Sequence, residues 1–279
     1  MSDPELVEFL RWALPRLGLR WPGYRKVRAR VRKKLNERLR ELGLPDIAAY
    51  QDCLVAHPQE WAVLDELCRI SISRFHRDRD IFDHLRRVVL PGLAERASER
   101  GAEAVRCWSA GCASGEEPYT LRILWDLGLP ADRARVPLQI VATDADERLL
   151  ERAREGRYPA SSLKELPREL LQTAFVRDGE QFRLRDELRA GVEFHRQDIR
   201  EVMPAGPFDL VLCRNLAITY FDEEGQREVL RGIDERLVAG GYLVLGADES
   251  LPGSVSDLMP CRTRPDLWQK QADAWSVRR

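Results

Sequence analysis

The sequence predicts an α/β protein in which a mainly parallel sheet follows an all-helical N-terminal segment, and three observations carry that expectation. From about residue 104, β-rich runs at 105–109, 138–143, 192–195, 208–213 and 242–246 alternate with amphipathic stretches at 117–127, 147–154 and 226–237. Before roughly residue 90, apolar side chains recur at helical spacing instead, as in Leu6, Phe9 and Leu10, or Val27, Val31, Leu35 and Leu39. With 279 residues, 44% hydrophobic and 33% charged, the chain can bury one large core, or one medium and one small.

Gly23, Pro58 and the Leu42-Gly43-Leu44-Pro45 break divide the N-terminal part into short helices. Pro91-Gly92 and a charged helix at 95–103 mark the expected transition, giving a helical domain with linker helix at 1–90 and a sheet domain at 91–279. The helix at 226–237 sets Val229, Leu230, Ile233 and Leu237 on one face. Residues 158–189 are too many for a simple connection, and they include the alternating run Phe182-Arg183-Leu184-Arg185.

Composition excludes more than it selects. A net charge of -1, from 45 basic and 46 acidic residues, gives no global pull toward nucleic acid or a membrane surface. No apolar run reaches the ~18 residues of a membrane span, and Met1-Ser2-Asp3-Pro4-Glu5 lacks the features of a signal peptide. A cytoplasmic protein without membrane insertion is expected. Cys53, Cys68, Cys107, Cys112, Cys213 and Cys261 are scattered, which suits reduced, mostly buried thiols and no metal site.

In a doubly wound sheet the turn after the first strand approaches the ligand most closely. Here that turn, residues 109–117, contains Ala110, Gly111, Ala113, Ser114 and Gly115, small enough for close backbone approach, but no GxGxxG. Glu116 and Glu117 stand where a helix begins and where a dinucleotide's pyrophosphate would rest on free N–H groups. Two carboxylates repel a phosphate and suit a cationic cofactor such as S-adenosylmethionine, whose amino group Glu117 would hold. The plainer reading is that both acids favour the helix dipole. Asp144 ends the second run and is the candidate for the ribose hydroxyls, with Asp146 a helix cap. Its distance from the turn exceeds the usual ~20 residues, which an enlarged connection through 130–135 would explain.

Further residues complete a pattern: Ser73-Arg74-Phe75-His76-Arg77-Asp78, the turn from Trp108 to Tyr119, Asp144, Val192-Glu193-Phe194 with Asp198, and Cys213-Arg214-Asn215. Together they resemble the CheR-type protein-glutamate O-methyltransferases of bacterial chemotaxis, of which this chain looks like a divergent member. The resemblance implies a Rossmann-like class I methyltransferase sheet at 91–279, with a small β-subdomain inserted at 158–192 that in some members docks a receptor's tail peptide. It implies S-adenosylmethionine, with S-adenosylhomocysteine as product, held by Ser71, Ser73, Arg77, Ala110, Gly111, Glu117, Asp144, Asp198, Ile199, Arg214 and Asn215. It also implies that Arg77 and Tyr220 flank the reacting groups. An acceptor glutamate with a reference pKa of about 4.3 is already ionised at neutral pH, so positioning is the enzyme's main task.

Three departures fall on the acceptor side. His76 replaces a phenylalanine, one extra residue precedes Tyr220, and Gly246-Ala247-Asp248-Glu249-Ser250 replaces a Gly-His-Ser-Glu segment. His76 is either a general base for an acceptor that must lose a proton or a packing residue beside Phe75. The alternatives are a small-molecule or peptide acceptor outside chemotaxis, or a cofactor-binding regulator without turnover.

Between Arg16 and Arg40 eleven basic residues face a single acid, Glu37. By resemblance, Arg25, Lys26, Arg28, Arg32 and Lys33 would meet an acidic protein substrate such as chemoreceptor cytoplasmic helices. A solvated basic face is the plain alternative. Trp21 and Tyr24 form no interleaved stacking pattern and no NPPY-type motif is present, so nucleic acid is the weaker partner.

Overall fold

Helix-starting chemistry is written into the first residues of the N-terminal segment. Ser2 caps α1 (Asp3–Ala13) by accepting the Glu5 N–H, and the Glu5 carboxylate accepts the Ser2 N–H in return. Helices α2 (Trp21–Tyr24), α3 (Arg28–Leu42), α4 (Ile47–Ala56) and α5 (Glu60–Cys68) follow. Gly43, left-handed at φ 66°, ends α3, and the Asp46 side chain caps α4 through the Ala49 N–H. Leu6, Phe9 and Leu10, then Val31, Leu35 and Leu39 are buried, as the helical spacing predicts, whereas Val27 is half-buried; Tyr50, Leu54 and Leu64 are buried with them.

The computed structural model describes residues 1–130, 136–253, 258–261 and 264–271; most of the connection expected to be enlarged, residues 131–135, lies outside them. The chain forms two compact units, Met1–Ile72 with Ala217–Gln226, and Ser73–Leu216 with Arg227–Arg279. In the first unit Gly23 is not the helix break that the sequence suggested. It lies within α2, and a Cβ there would overlap the Thr219 carbonyl oxygen, so glycine is what allows the two segments to touch. The same unit buries Glu60, which accepts Arg38 Nε (2.9 Å), Arg38 Nη2 (2.8 Å) and the Tyr50 hydroxyl (2.9 Å).

The second unit opens with α6 (Arg79–His84), a π-helical turn (Leu85–Val89) and α7 (Leu90–Glu99). Pro91 and Gly92, expected to interrupt the chain, instead sit in the first turn of α7. The π turn has already left the ordinary hydrogen-bond ladder, with Leu90 N–H bonding Leu85 O, so Pro91 disrupts little. The helix expected at 95–103 therefore begins earlier and stops at Glu99.

The remaining elements are β1 (Val105–Ala110), α8 (Glu116–Gly128), β2 (Leu138–Asp144), α9 (Glu147–Glu155), β3 (Arg157–Pro159), α10 (Arg168–Ala174), β4 (Phe175–Asp178), β5 (Gln181–Leu184), α11 (Asp186–Arg189), β6 (Val192–Arg196), β7 (Phe208–Leu212), α12 (Ala217–Tyr220), α13 (Glu223–Arg236), β8 (Leu237–Val244), β9 (Leu258–Cys261) and β10 (Arg264–Lys270). The main sheet runs β6-β2-β1-β7-β8-β10-β9, parallel from β6 through β8 and antiparallel at β10 and β9. Central strands are buried on both faces, which is why they read as apolar runs: Leu210, Val211 and Leu212 of β7 are fully buried. Leu237, expected to close a helix, opens β8 opposite Phe208. A second, antiparallel sheet, β3-β5-β4, forms the insertion.

Strand order reverses at β1, which lies between β2 and β7, and ligands of such sheets bind beyond the strand ends at that point. Register brings the candidates there: Ala110 pairs with Thr143, Ser109 with Leu212, and Asp144 with Arg196 two residues before Asp198. Among the described residues no helix is long and apolar enough to cross a membrane.

Candidate cofactor site

The turn between β1 and α8 spends its backbone donors on the protein. Gly111 N–H (2.8 Å) and Cys112 N–H (2.9 Å) both donate to Thr143 O, Ala113 N–H donates to Asp144 Oδ2 (2.9 Å), and Gly115 N–H to Cys112 O (3.0 Å). The path requires left-handed backbone at Gly111 (φ 71°), Ala113 (φ 48°) and Gly115 (φ 88°). A phosphate needs unsatisfied N–H groups, and these four are taken. With these four donors taken and Glu116 and Glu117 at the helix start, the turn suits a phosphate-free, cationic cofactor better than a dinucleotide.

The two glutamates of the turn part company. Glu116 is 3% exposed, accepts Ser114 Oγ on both oxygens (3.0 Å each), and is pushed toward protonation chiefly by burial. The Ser73 hydroxyl bonds the same carboxylate, which is where the structure spends that candidate. Glu117 instead accepts Ser109 Oγ at Oε1 (2.7 Å) and Arg214 Nη1 at Oε2 (3.0 Å). A carboxylate offers about four acceptor directions, so Glu117 retains capacity for an ammonium donor. Asp144 accepts Ala113 N–H at Oδ2 and Asp146 N–H at Oδ1 (3.0 Å). Asp146 caps α9 through the Arg148 N–H.

Arg214, at the end of β7, gathers the next group. Its side chain is 3% exposed, donates from Nη1 to Glu117 and from Nη2 to Arg77 O (2.9 Å) and Asp78 Oδ2 (2.6 Å), and lies over the Phe82 ring at 5.0 Å. Arg77 is thus tied through its main chain to the same guanidinium as Glu117. Asn215 is left-handed (φ 53°), with its N–H donating to Glu249 Oε2 (2.9 Å), which also accepts Gly246 N–H (2.7 Å). The four non-glycine residues with positive φ among those described, His76, Asp78, Ala113 and Asn215, all fall in these segments. Backbone held in such regions is characteristic of ligand sites.

Gly246 is needed where it stands, because a Cβ would overlap Asn215 Nδ2 and come within 2.9 Å of Glu249 Oε2. Gly246→Ala is expected to displace Asn215 and weaken S-adenosylhomocysteine binding roughly tenfold, with the fold retained. Calorimetry alongside circular dichroism checks this; unchanged affinity would mean that Asn215's placement is immaterial.

Asp198 is engaged on both oxygens by Arg200, and Ile199 beside it is buried. His76 is 2% exposed and stacked on Phe82 (5.6 Å, 26°), with Nε2 3.6 Å from Asp83 Oδ1, beyond hydrogen-bond reach. Burial lowers its proton affinity, and with its ring packed on Phe82 the geometry favours the packing alternative over the general base. Ser71 and Tyr220 belong to the helical unit, where Tyr220 packs edge-on against Tyr24 (5.2 Å) and its carbonyl accepts the Arg20 N–H (2.8 Å). Tyr220 closes the short helix α12.

Sequence reasoning missed Thr143, Asp78, Glu249 and Tyr158. The Tyr158 hydroxyl, from the inserted sheet, donates to Ser114 O (2.7 Å), and its ring meets Phe75 edge-on at 4.7 Å. For Glu249 a signal existed, since it keeps the glutamate of the family's Gly-His-Ser-Glu segment at the same spacing from Gly246.

Strand order, carboxylate-lined turn and donor set define an S-adenosylmethionine-dependent methyltransferase of the Rossmann-like class. Residues 71–265 match the family model described as CheR methyltransferase, SAM binding domain, and the chain belongs to that family. It is 36% identical over 237 residues to the chemotaxis protein methyltransferase of Salmonella typhimurium, covering 81% of this chain and 77% of that one. It is 35% identical over 192 residues to the chemotaxis protein methyltransferase of Listeria monocytogenes, covering 68% and 70%. It also matches an uncharacterized 104.1 kDa protein of Rhodobacter capsulatus at 32% identity over 239 residues, covering 86% of this chain but spanning only 25% of that relative.

Proposed function

We propose that the chain forms methyl esters on glutamate side chains of an acidic, helical protein substrate of the chemoreceptor kind, in the cytoplasm. The observation that favours this acceptor class is the burial of His76, the candidate base named from the sequence: a hydroxyl acceptor would need a proton removed, whereas a glutamate arrives ionised. The names of the Salmonella and Listeria relatives support the same reading.

When bound, S-adenosylmethionine supplies a methyl group on a positively charged sulfur, open to in-line attack by an anion. Glu117 would hold the cofactor's amino group and Asp144 its ribose hydroxyls, with Ala110 and Gly111 giving close backbone approach. Ser71, Ser73, Asp198, Ile199, Arg214 and Asn215 are further cofactor residues by family resemblance. Arg77 would fix the acceptor carboxylate by paired hydrogen bonds, and Tyr220 is assigned to the reacting groups on the same ground.

The basic face narrows on inspection. Arg28 pairs with Asp3 at 3.0 Å and Arg32 approaches it at 3.8 Å, whereas Arg25, Lys26, Arg30 and Lys33 are exposed. Those four are the better candidates to meet acidic helices, mainly by speeding and orienting encounter. The reading is tested by incubating the protein with methyl-labelled cofactor and a chemoreceptor cytoplasmic fragment. Label released as methanol by mild base is expected; label that withstands base rejects a carboxyl ester. Lys26→Glu with Lys33→Glu should raise the acceptor KM about tenfold with kcat little changed.

A further inference from the structure

Asp78 stands at the N-cap of α6, where an aspartate ordinarily accepts an N–H of the first helical turn, yet its side chain makes no capping bond. It adopts a left-handed backbone (φ 61°, ψ 64°) and bonds Arg214 Nη2 at 2.6 Å. Arg214 spends its other terminal nitrogen on Glu117 at 3.0 Å, with its planar group lying over the Phe82 ring. One buried guanidinium therefore serves two carboxylates, and the trio keeps one net negative charge.

We propose that Asp78 is a positioning residue for the cofactor's amino group: by sharing Arg214, it leaves the Glu117 carboxylate electrostatically open to an ammonium. This rests on the reading that Glu117 receives that ammonium. Were Arg214 paired with Glu117 alone, the pair would be neutral and an incoming cation would meet attraction and repulsion of similar size. Arg214 is almost wholly shielded from solvent, so its charge is weakly screened and the second carboxylate matters. The cost of a left-handed non-glycine residue at the cap is accounted for by where it sends the carboxylate.

Asp78→Asn removes the charge while keeping the shape and a residue type that tolerates left-handed backbone. Calorimetry on the full chain would compare S-adenosylhomocysteine, which carries the ammonium, with 5′-methylthioadenosine, which lacks the whole amino-acid moiety; weak binding is read by competition. The variant should lose roughly tenfold in affinity for the first and stay within about twofold for the second. Equal losses for both ligands, or no loss for either, would each overturn the proposal. Failure of the unaltered protein to bind S-adenosylhomocysteine would instead overturn the cofactor reading beneath it.

Discussion

Glu117→Gln is expected to weaken S-adenosylmethionine binding about a hundredfold, close to 3 kcal/mol, and to lower kcat/KM for the cofactor by a similar factor. The glutamine would present an amide N–H toward another cation and remove half of the negative charge around Arg214. Glu116→Gln next to it should leave affinity nearly unchanged, because that carboxylate faces Ser114 inside the core. Calorimetry on both variants makes the comparison, and a change below threefold for Glu117→Gln would remove that residue from the ammonium site.

The largest expected loss of stability lies in the helical unit. Glu60→Ala leaves Arg38 and the Tyr50 hydroxyl without their shared acceptor, and breaking a largely buried ion pair from one side costs about 3 kcal/mol or more. The Arg38 hydrogen bonds hold the Glu60 carboxyl below the usual glutamate range, with Tyr50 adding to the effect. A carboxyl whose folded pKa is depressed stabilises fully above its unfolded value of about 4.3, and that contribution fades as pH falls toward and through the lower folded value. Denaturant unfolding followed by circular dichroism should show the deficit at pH 7 and a smaller difference between variant and parent below pH 4. A deficit under 1 kcal/mol at pH 7 would reject the account.

The parallel strands were legible because double burial writes them as apolar runs, and the α8 turn because its small residues and acids have few other uses. What the sequence hides depends on geometry that residue type does not encode. Glu116 and Glu117 are chemically identical neighbours, and only the phase of the first helical turn sends one into the core and the other toward Arg214. Strand β8 opens at Leu237 and carries Val238-Ala239-Gly240-Gly241, which reads as a turn and forms an irregularity between the Phe208–Leu237 and Leu210–Tyr242 pairings, so propensity alone could not foresee the strand. Pro91 looked like punctuation because a π turn has no sequence mark of its own. Left-handed His76, Asp78 and Asn215 are not glycines, so nothing announced them. Glu249 acts on Asn215 only after the chain has closed on itself.

Tyr158 gives the inserted sheet a meaning that its place on the chain does not suggest. Its hydroxyl reaches out of β3 to the carbonyl of Ser114, in the turn between β1 and α8. An insertion of this kind looks like an interchangeable module, free to diverge as partners change. Here it is tied to the turn after β1 by one hydrogen bond and to Phe75 by an aromatic contact, so removing the segment would leave the Ser114 carbonyl and the Phe75 ring without these partners.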